Sequence, residues 1–195
     1  MKFKTENISV NISFYFAAVL TLSLLLDKTN ISFYSILSAL LHETGHMLCL
    51  FFLKAKPKEI KFGLFGMRIV RGNKTLSYKS EVITALSGPL VNIILFAVFL
   101  YPQKTLMFSA VNLALGLFNL LPVKPMDGGE ALYYFLCSFC EENRIKRITD
   151  ATTFLTVIFL TAAGVMVFVK SGYNFMLLAV SVYIVFYRLT LEKKS

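Results

Sequence analysis

Six apolar stretches without ordinary surface charge constrain this chain more than any other feature. Residues 8–26, 82–101, 105–121, 151–169 and 173–187 carry no Asp, Glu, Lys or Arg, and residues 31–53 carry only one acid. A helix of about 20 apolar residues crosses the hydrocarbon core of a bilayer. Only 16% of the residues are charged, against about a quarter in a soluble domain. The expectation is therefore an all-α polytopic membrane protein with six transmembrane helices. The runs at 105–121 and 173–187 are the shortest and need flanking turns to complete the crossing.

The net charge of +9 does not call for a nucleic acid. With the N-terminus inside and six crossings, only Lys28, Lys104 and Lys170 of the 20 basic residues fall in outer loops. That asymmetry is the positive-inside pattern, and it predicts an integral protein of the cell membrane with both termini cytoplasmic. The basic loops face anionic lipid, so the bilayer accounts for the charge. The first run follows Lys2 and Lys4 like a signal peptide, but it ends in "LLLDKTN" without a small-x-small cleavage site and is expected to stay in the chain.

Between the second and third runs, Pro57 ends the helix. In "EIKFGLF", Ile60, Phe62 and Leu64 then alternate with Lys61 and Gly63. That period of two, followed by Gly66 and "MRIV", predicts a short β-hairpin after the second crossing. In "FNLLPVKPMDGGEAL", Pro122 and Pro125 cannot continue a helix, and Gly128 and Gly129 permit a tight turn. The fourth helix is thus expected to be broken at the cytoplasmic edge, where irregular backbone is tolerated only against protein or a water-filled cavity. No repeat and no appended soluble domain is visible. Residues 1–195 read as a single integral membrane domain, with a catalytic core at about 31–140 and flanking helices at 8–26, 151–169 and 173–187.

The second run contains His42-Glu43-Thr44-Gly45-His46, an H-E-x-x-H pattern that holds both histidines of the chain. Residues four apart share a helix face. Both imidazoles can therefore reach one zinc ion at about 2.0–2.1 Å. Glu43 then stands beside the water that the metal activates, placed to take its proton and pass it to a leaving amine. Ionisable residues at membrane depth are costly and mark function. A third ligand must come from an acid. Asp127, on the broken segment, is the best placed, and Glu130 on the same loop is the competitor. Cys137 and Cys140 form a lone CxxC that reads as packing on one helix face. Cys49 reads the same way.

Three segments together resemble a known family. His42–His46 in the second run, "SGPLVN" at 87–92 and "NLLPVKPMDGG" at 119–129 are similar to the three signatures of the site-2 proteases, which are intramembrane zinc metalloproteases. The resemblance covers roughly residues 36–130. It implies one Zn²⁺ per chain held by His42, His46 and Asp127, and Glu43 as general base. It also implies roles for Asn119 and Asn92 in holding substrate or ordering the site. The implied substrate is another membrane protein with a transmembrane or membrane-associated helix, such as a tethered transcription or sigma factor. A regulatory membrane partner fits the same picture, and no nucleic acid is implied. The layout looks most like the branch that processes sporulation sigma factors. That branch often carries a C-terminal CBS domain, for which no segment is expected here. Other readings remain at this level: a membrane zinc peptidase with a Glu ligand, or a non-catalytic scaffold.

Overall fold

The computed structural model describes residues 2–4, 9–55, 57–63, 66–71, 75–101 and 105–190. In order these form β1 (Lys2–Lys4), β2 (Ser9–Ile12), α1 (Phe14–Leu26), α2 (Ile31–Phe52), β3 (Pro57–Gly63), β4 (Gly66–Arg71), α3 (Tyr78–Phe99), α4 (Leu106–Asn119), α5 (Asp127–Cys137), α6 (Glu142–Ser171) and α7 (Met176–Thr190). The chain divides into two compact units, Met1–Leu117 and Phe118–Ser195.

The structure is mostly helical, as expected. Among the described residues three helices, α2, α3 and α6, are long and apolar enough to cross a membrane, while α4 and Met176–Leu189 of α7 are shorter apolar helices. The run at 8–26 is not one helix. Its first residues are the strand β2, and α1 keeps 13 residues, or about 20 Å at 1.5 Å per residue. The sixth helix element departs in the other direction. α6 has 30 residues and begins at Glu142, not near 151. Counting uncharged residues finds where hydrocarbon can lie. It does not find where helical hydrogen bonding stops.

In the first unit the strands form one sheet in the order β1-β2-β3-β4. β1 and β2 are antiparallel, β2 and β3 parallel, and β3 and β4 antiparallel with Ile60 opposite Ile69 and Phe62 opposite Met67. β3 is therefore an inner strand.

Helix α2 is well capped at both ends. Asn30, the residue before it, adopts a left-handed φ of 61° and makes no side-chain cap. Asp27 supplies the cap from three residues further back. One carboxylate oxygen accepts the Thr29 N–H at 2.7 Å and hydroxyl at 2.6 Å, and the other accepts the Ser32 N–H at 2.5 Å. The Ser32 bond satisfies one of the amides that a helix N-terminus leaves open. At the other end Lys54 takes φ 54°. Its N–H reaches the Phe51 carbonyl and that of Ala55 reaches Leu50. This is a Schellman ending with lysine in the usual glycine place. Helix α3 begins with the Ser77 hydroxyl accepting the Ser80 N–H, and Glu81 lies in its first turn. Gly45 of α2 lies against α3 so closely that a Cβ there would stand 2.7 Å from the Ser87 carbonyl oxygen. Small residues permit such backbone approach between membrane helices.

In the second unit, Val123, Met126, Leu160 and Ile184 form the buried core. Helices α6 and α7 pack together. Gly172 caps α6 at φ 76°, and Asp150 pairs with Arg188. Much of the outer surface of the helices in both units is apolar. Leu25, Phe52, Val98, Phe159 and Val169 are all more than half exposed. Continuous exposure of this kind suits lipid contact, not water.

Candidate metal centre

His42 is buried on α2 and His46 half-buried one turn later. Their Nε2 atoms face each other at 3.2 Å. The partners of the other ring nitrogens decide which nitrogen carries the proton. His46 Nδ1 lies 2.7 Å from the Thr84 carbonyl oxygen, which can only accept. The Ser87 hydroxyl donates to that same carbonyl, and its oxygen lies 3.3 Å from His46 Nδ1. His42 Nδ1 lies 2.5 Å from Asn92 Oδ1. Both rings therefore donate from Nδ1 and turn the Nε2 lone pair toward the other ring. Two lone pairs at that separation repel unless a cation lies between them. Two nitrogens bound to one tetrahedral zinc ion at about 2.0–2.1 Å stand roughly 3.3 Å apart. The residues present fit such an ion.

Gly88 of α3 completes the cradle. A Cβ at this position would stand 2.7 Å from His42 Nε2 and closer still to His46 Nε2. The resemblance to "SGPLVN" thus has a physical content at Gly88, where the lack of a side chain leaves room at the paired nitrogens. Pro89 follows within α3, which runs on unbroken to Phe99.

Asn92 is fully buried and half-way along a polar chain. Its Nδ2 donates to Asn112 Oδ1 of α4 at 2.8 Å and to the Ser38 carbonyl of α2 at 3.3 Å. Asn112 Nδ2 donates in turn to the Phe108 carbonyl at 2.9 Å. Sequence reasoning singled out Asn92 but missed Asn112, which belongs to none of the three motifs. An amide in the middle of an apolar run was the signal available. Glu43 is half-buried beside His42.

In the second unit, Asp127 is the first residue of α5 and Glu130 lies one turn on. A carboxylate in a first helical turn is favoured by the helix dipole. The break expected after α4 is present. Leu121 N–H bonds to Phe118, Val123 to Leu121, and Met126 to Val123, before α5 begins. The expected turn at Gly128 and Gly129 is not made by those residues, which are helical. Their role is space. A Cβ on Gly128 would lie 2.7 Å from the Leu121 carbonyl oxygen, and one on Gly129 2.5 Å from the Lys124 nitrogen. Asn119 is the last residue of α4 and is half-buried.

Comparison with known proteins agrees with this chemistry. Residues 103–163 match the family model described as Peptidase family M50, a stretch that includes Asn119 and Asp127. Stage IV sporulation protein FB of Bacillus subtilis (strain 168) is 28% identical over 129 residues, which is 60% of this chain and 44% of that protein. A Synechocystis sp. protein described as a candidate zinc metalloprotease is 30% identical over 106 residues, 49% of this chain and 28% of that protein. The chain thus spans less than half the length of these relatives. The fold matches the site-2 protease from Methanocaldococcus jannaschii, with a TM-score of 0.65, 24% identity, and coverage of 95% of this chain and 92% of that one. The chain is thus similar to peptidase family M50 over residues 103–163 and shares the fold of a site-2 protease. Helices long and apolar enough to cross a membrane, in a fold shared with a site-2 protease, suit an integral membrane protein.

Proposed function

We propose that this protein is an intramembrane zinc metalloprotease that hydrolyses a peptide bond within or near a transmembrane segment of another membrane protein. The facing Nε2 atoms of His42 and His46, each ring held through Nδ1, carry the reading. In this reading His42, His46 and Asp127 would hold one zinc ion per chain. When bound, zinc supplies a Lewis acid that makes water nucleophilic near neutral pH.

This chain's own residues do the rest. Glu43 takes the proton from the attacking water and returns it to the departing amine. Asn119, at the end of α4, holds the substrate backbone, and Asn92 orders His42. The whole of 1–195 acts as one domain with six crossings and both termini cytoplasmic, which places the motif past mid-bilayer on the cytoplasmic side. A helical substrate bond is shielded by its own turns and must be unwound first. The β3–β4 hairpin receives the unwound strand by β-augmentation. Because β3 is paired on both sides, the receiving edge is β4, and a proline in "MRIV" is the informative change, not one in "IKFGL". A membrane-tethered transcription or sigma factor is a substrate of the right architecture, and a regulatory membrane partner would gate access.

The test is zinc analysis together with cleavage of single-span substrates in detergent or vesicles. Glu43→Gln is expected to keep the metal and lose cleavage by about 10²–10⁴-fold. Asp127→Ala is expected to lose zinc, and Glu130→Ala to keep it. Full cleavage by Glu43→Gln would overturn the enzymatic reading, and zinc retained in Asp127→Ala would overturn the ligand set.

A further inference from the structure

The proposed zinc site leaves one question that none of the family motifs answers. Something must hold Asn92 with its oxygen, not its nitrogen, toward His42. A carboxamide flipped by 180° would put an N–H donor against His42 Nδ1. The ring would then have to accept there and carry its proton on Nε2, where a metal could no longer bind.

The direction is fixed from outside, one link at a time. The Phe108 carbonyl can only accept, so Asn112 must present Nδ2 to it, at 2.9 Å. That leaves Asn112 Oδ1 as the atom facing Asn92, so Asn92 must present Nδ2, at 2.8 Å. Asn92 Oδ1 is then the atom facing His42 Nδ1, at 2.5 Å. The chain starts at a backbone carbonyl of α4, crosses α3 and ends on the α2 ring. Asn92 and Asn112 have no exposed surface, so water is not at hand to replace a missing partner. The Ser38 carbonyl also accepts from Asn92, but at 3.3 Å it is the longer bond.

We propose that Asn112 is a positioning residue for the metal centre: anchored on the Phe108 carbonyl, it turns the Asn92 carboxamide so that His42 is held as the Nδ1–H tautomer with Nε2 open to zinc. The inference rests on the proposed zinc site, but its first readout does not need the metal. Outer partners of metal-bound histidines are typically worth about 10–100-fold in metal affinity.

The experiment compares wild type, Asn112→Leu and Asn112→Asp as full-length protein in detergent micelles, at one neutral pH. Nitrogen-15 NMR of the metal-free histidines reports which ring nitrogen carries the proton. Chelator competition reports zinc affinity. In wild type, His42 is expected as Nδ1–H. Asn112→Leu is expected to populate the Nε2–H form of His42, leave His46 unchanged, and weaken zinc binding about 10-fold or more. Asn112→Asp keeps an acceptor oxygen for Asn92 and is expected to restore the tautomer. If Asn112→Leu does not fold, Asn112→Ser, whose hydroxyl is too short to reach Asn92, carries the same comparison. A His42 that stays Nδ1–H in the leucine or serine variant, with zinc affinity within twofold of wild type, would overturn the proposal. A wild type that binds no zinc would overturn the zinc site itself, while the NMR result would still decide the role of Asn112.

Discussion

Both units bury polar side chains, but the first also does so in a way the second does not. In the second unit the buried hydroxyls of Thr156 and Ser181 donate to carbonyls of their own helices, Thr152 and Leu178, at 2.8 Å. Those bonds are local and point nowhere. In the first unit the buried amides of Asn92 and Asn112 bond between helices and end on a histidine ring. A polar group that satisfies itself within its own turn needs no neighbour and directs none. One that must be satisfied by another helix fixes the rotation of both. The first unit accepts that constraint where chemistry requires a defined lone pair, and the second does not.

The comparison breaks most directly at Gly88. Gly88→Val would push a branched side chain into both Nε2 atoms, so zinc binding is expected to be abolished. Cleavage would be lost with it. Metal content of the purified variant checks this. Retained zinc would mean that the histidine pair is not held against α3 as described. A core truncation in the second unit has a smaller and different effect. Ile184 has no exposed surface and lies in the core with Leu160, so Ile184→Ala is expected to cost about 2–5 kcal/mol of stability. Zinc affinity per folded molecule should not change. A thermal or denaturant titration paired with chelator competition separates the two quantities.

Those two substitutions also mark what sequence can and cannot reveal. The pair His42 and His46 is legible because helical spacing alone puts i and i+4 on one face, and their membrane depth makes them expensive without a role. The helix break before Asp127 is legible because Pro122 and Pro125 cannot continue a helix. Asn112 is not legible, since a single amide in an apolar run does not say which neighbour it will meet. Gly128 and Gly129 read as a turn because glycine often makes one. Their actual role, leaving room for the preceding loop, depends on a backbone approach that no local pattern encodes. The run at 8–26 misled for a related reason. Pairing with β3 claims Ser9–Ile12 as strand, and the partner lies some 50 residues on.

The polar bonds of the second unit should be nearly dispensable. Thr156→Val removes a hydroxyl that bonds only to its own preceding turn, while keeping its shape. Its expected effect is within about 0.5–1.5 kcal/mol in either direction, the range for one net hydrogen bond, with no change in metal affinity. A loss of zinc in Thr156→Val would erase the distinction between the two kinds of polar burial.

The smallest effect is expected at Asp27, in the first unit but away from the buried amides. Its carboxylate accepts from Thr29 through both hydroxyl and amide and from the Ser32 amide, and these bonds hold its pKa down to about 2 from the ordinary 3.8. The folded state therefore binds fewer protons than the unfolded state between those two values, and stability rises with pH across that window. The contribution is complete above about pH 4 and disappears as the pH falls through about 2. Asp27→Ala should consequently lower stability at neutral pH by a small amount that shrinks toward zero on acidification. Amide exchange at Thr29 and Ser32 is the sensitive readout, because the cap protects those two N–H groups directly. An Asp27→Ala difference that persists unchanged at pH 2 would show that the cap acts through packing, not through a charge-assisted bond. Asp27 would then resemble the hydroxyls of the second unit, whose hydrogen bonds carry no charge to titrate.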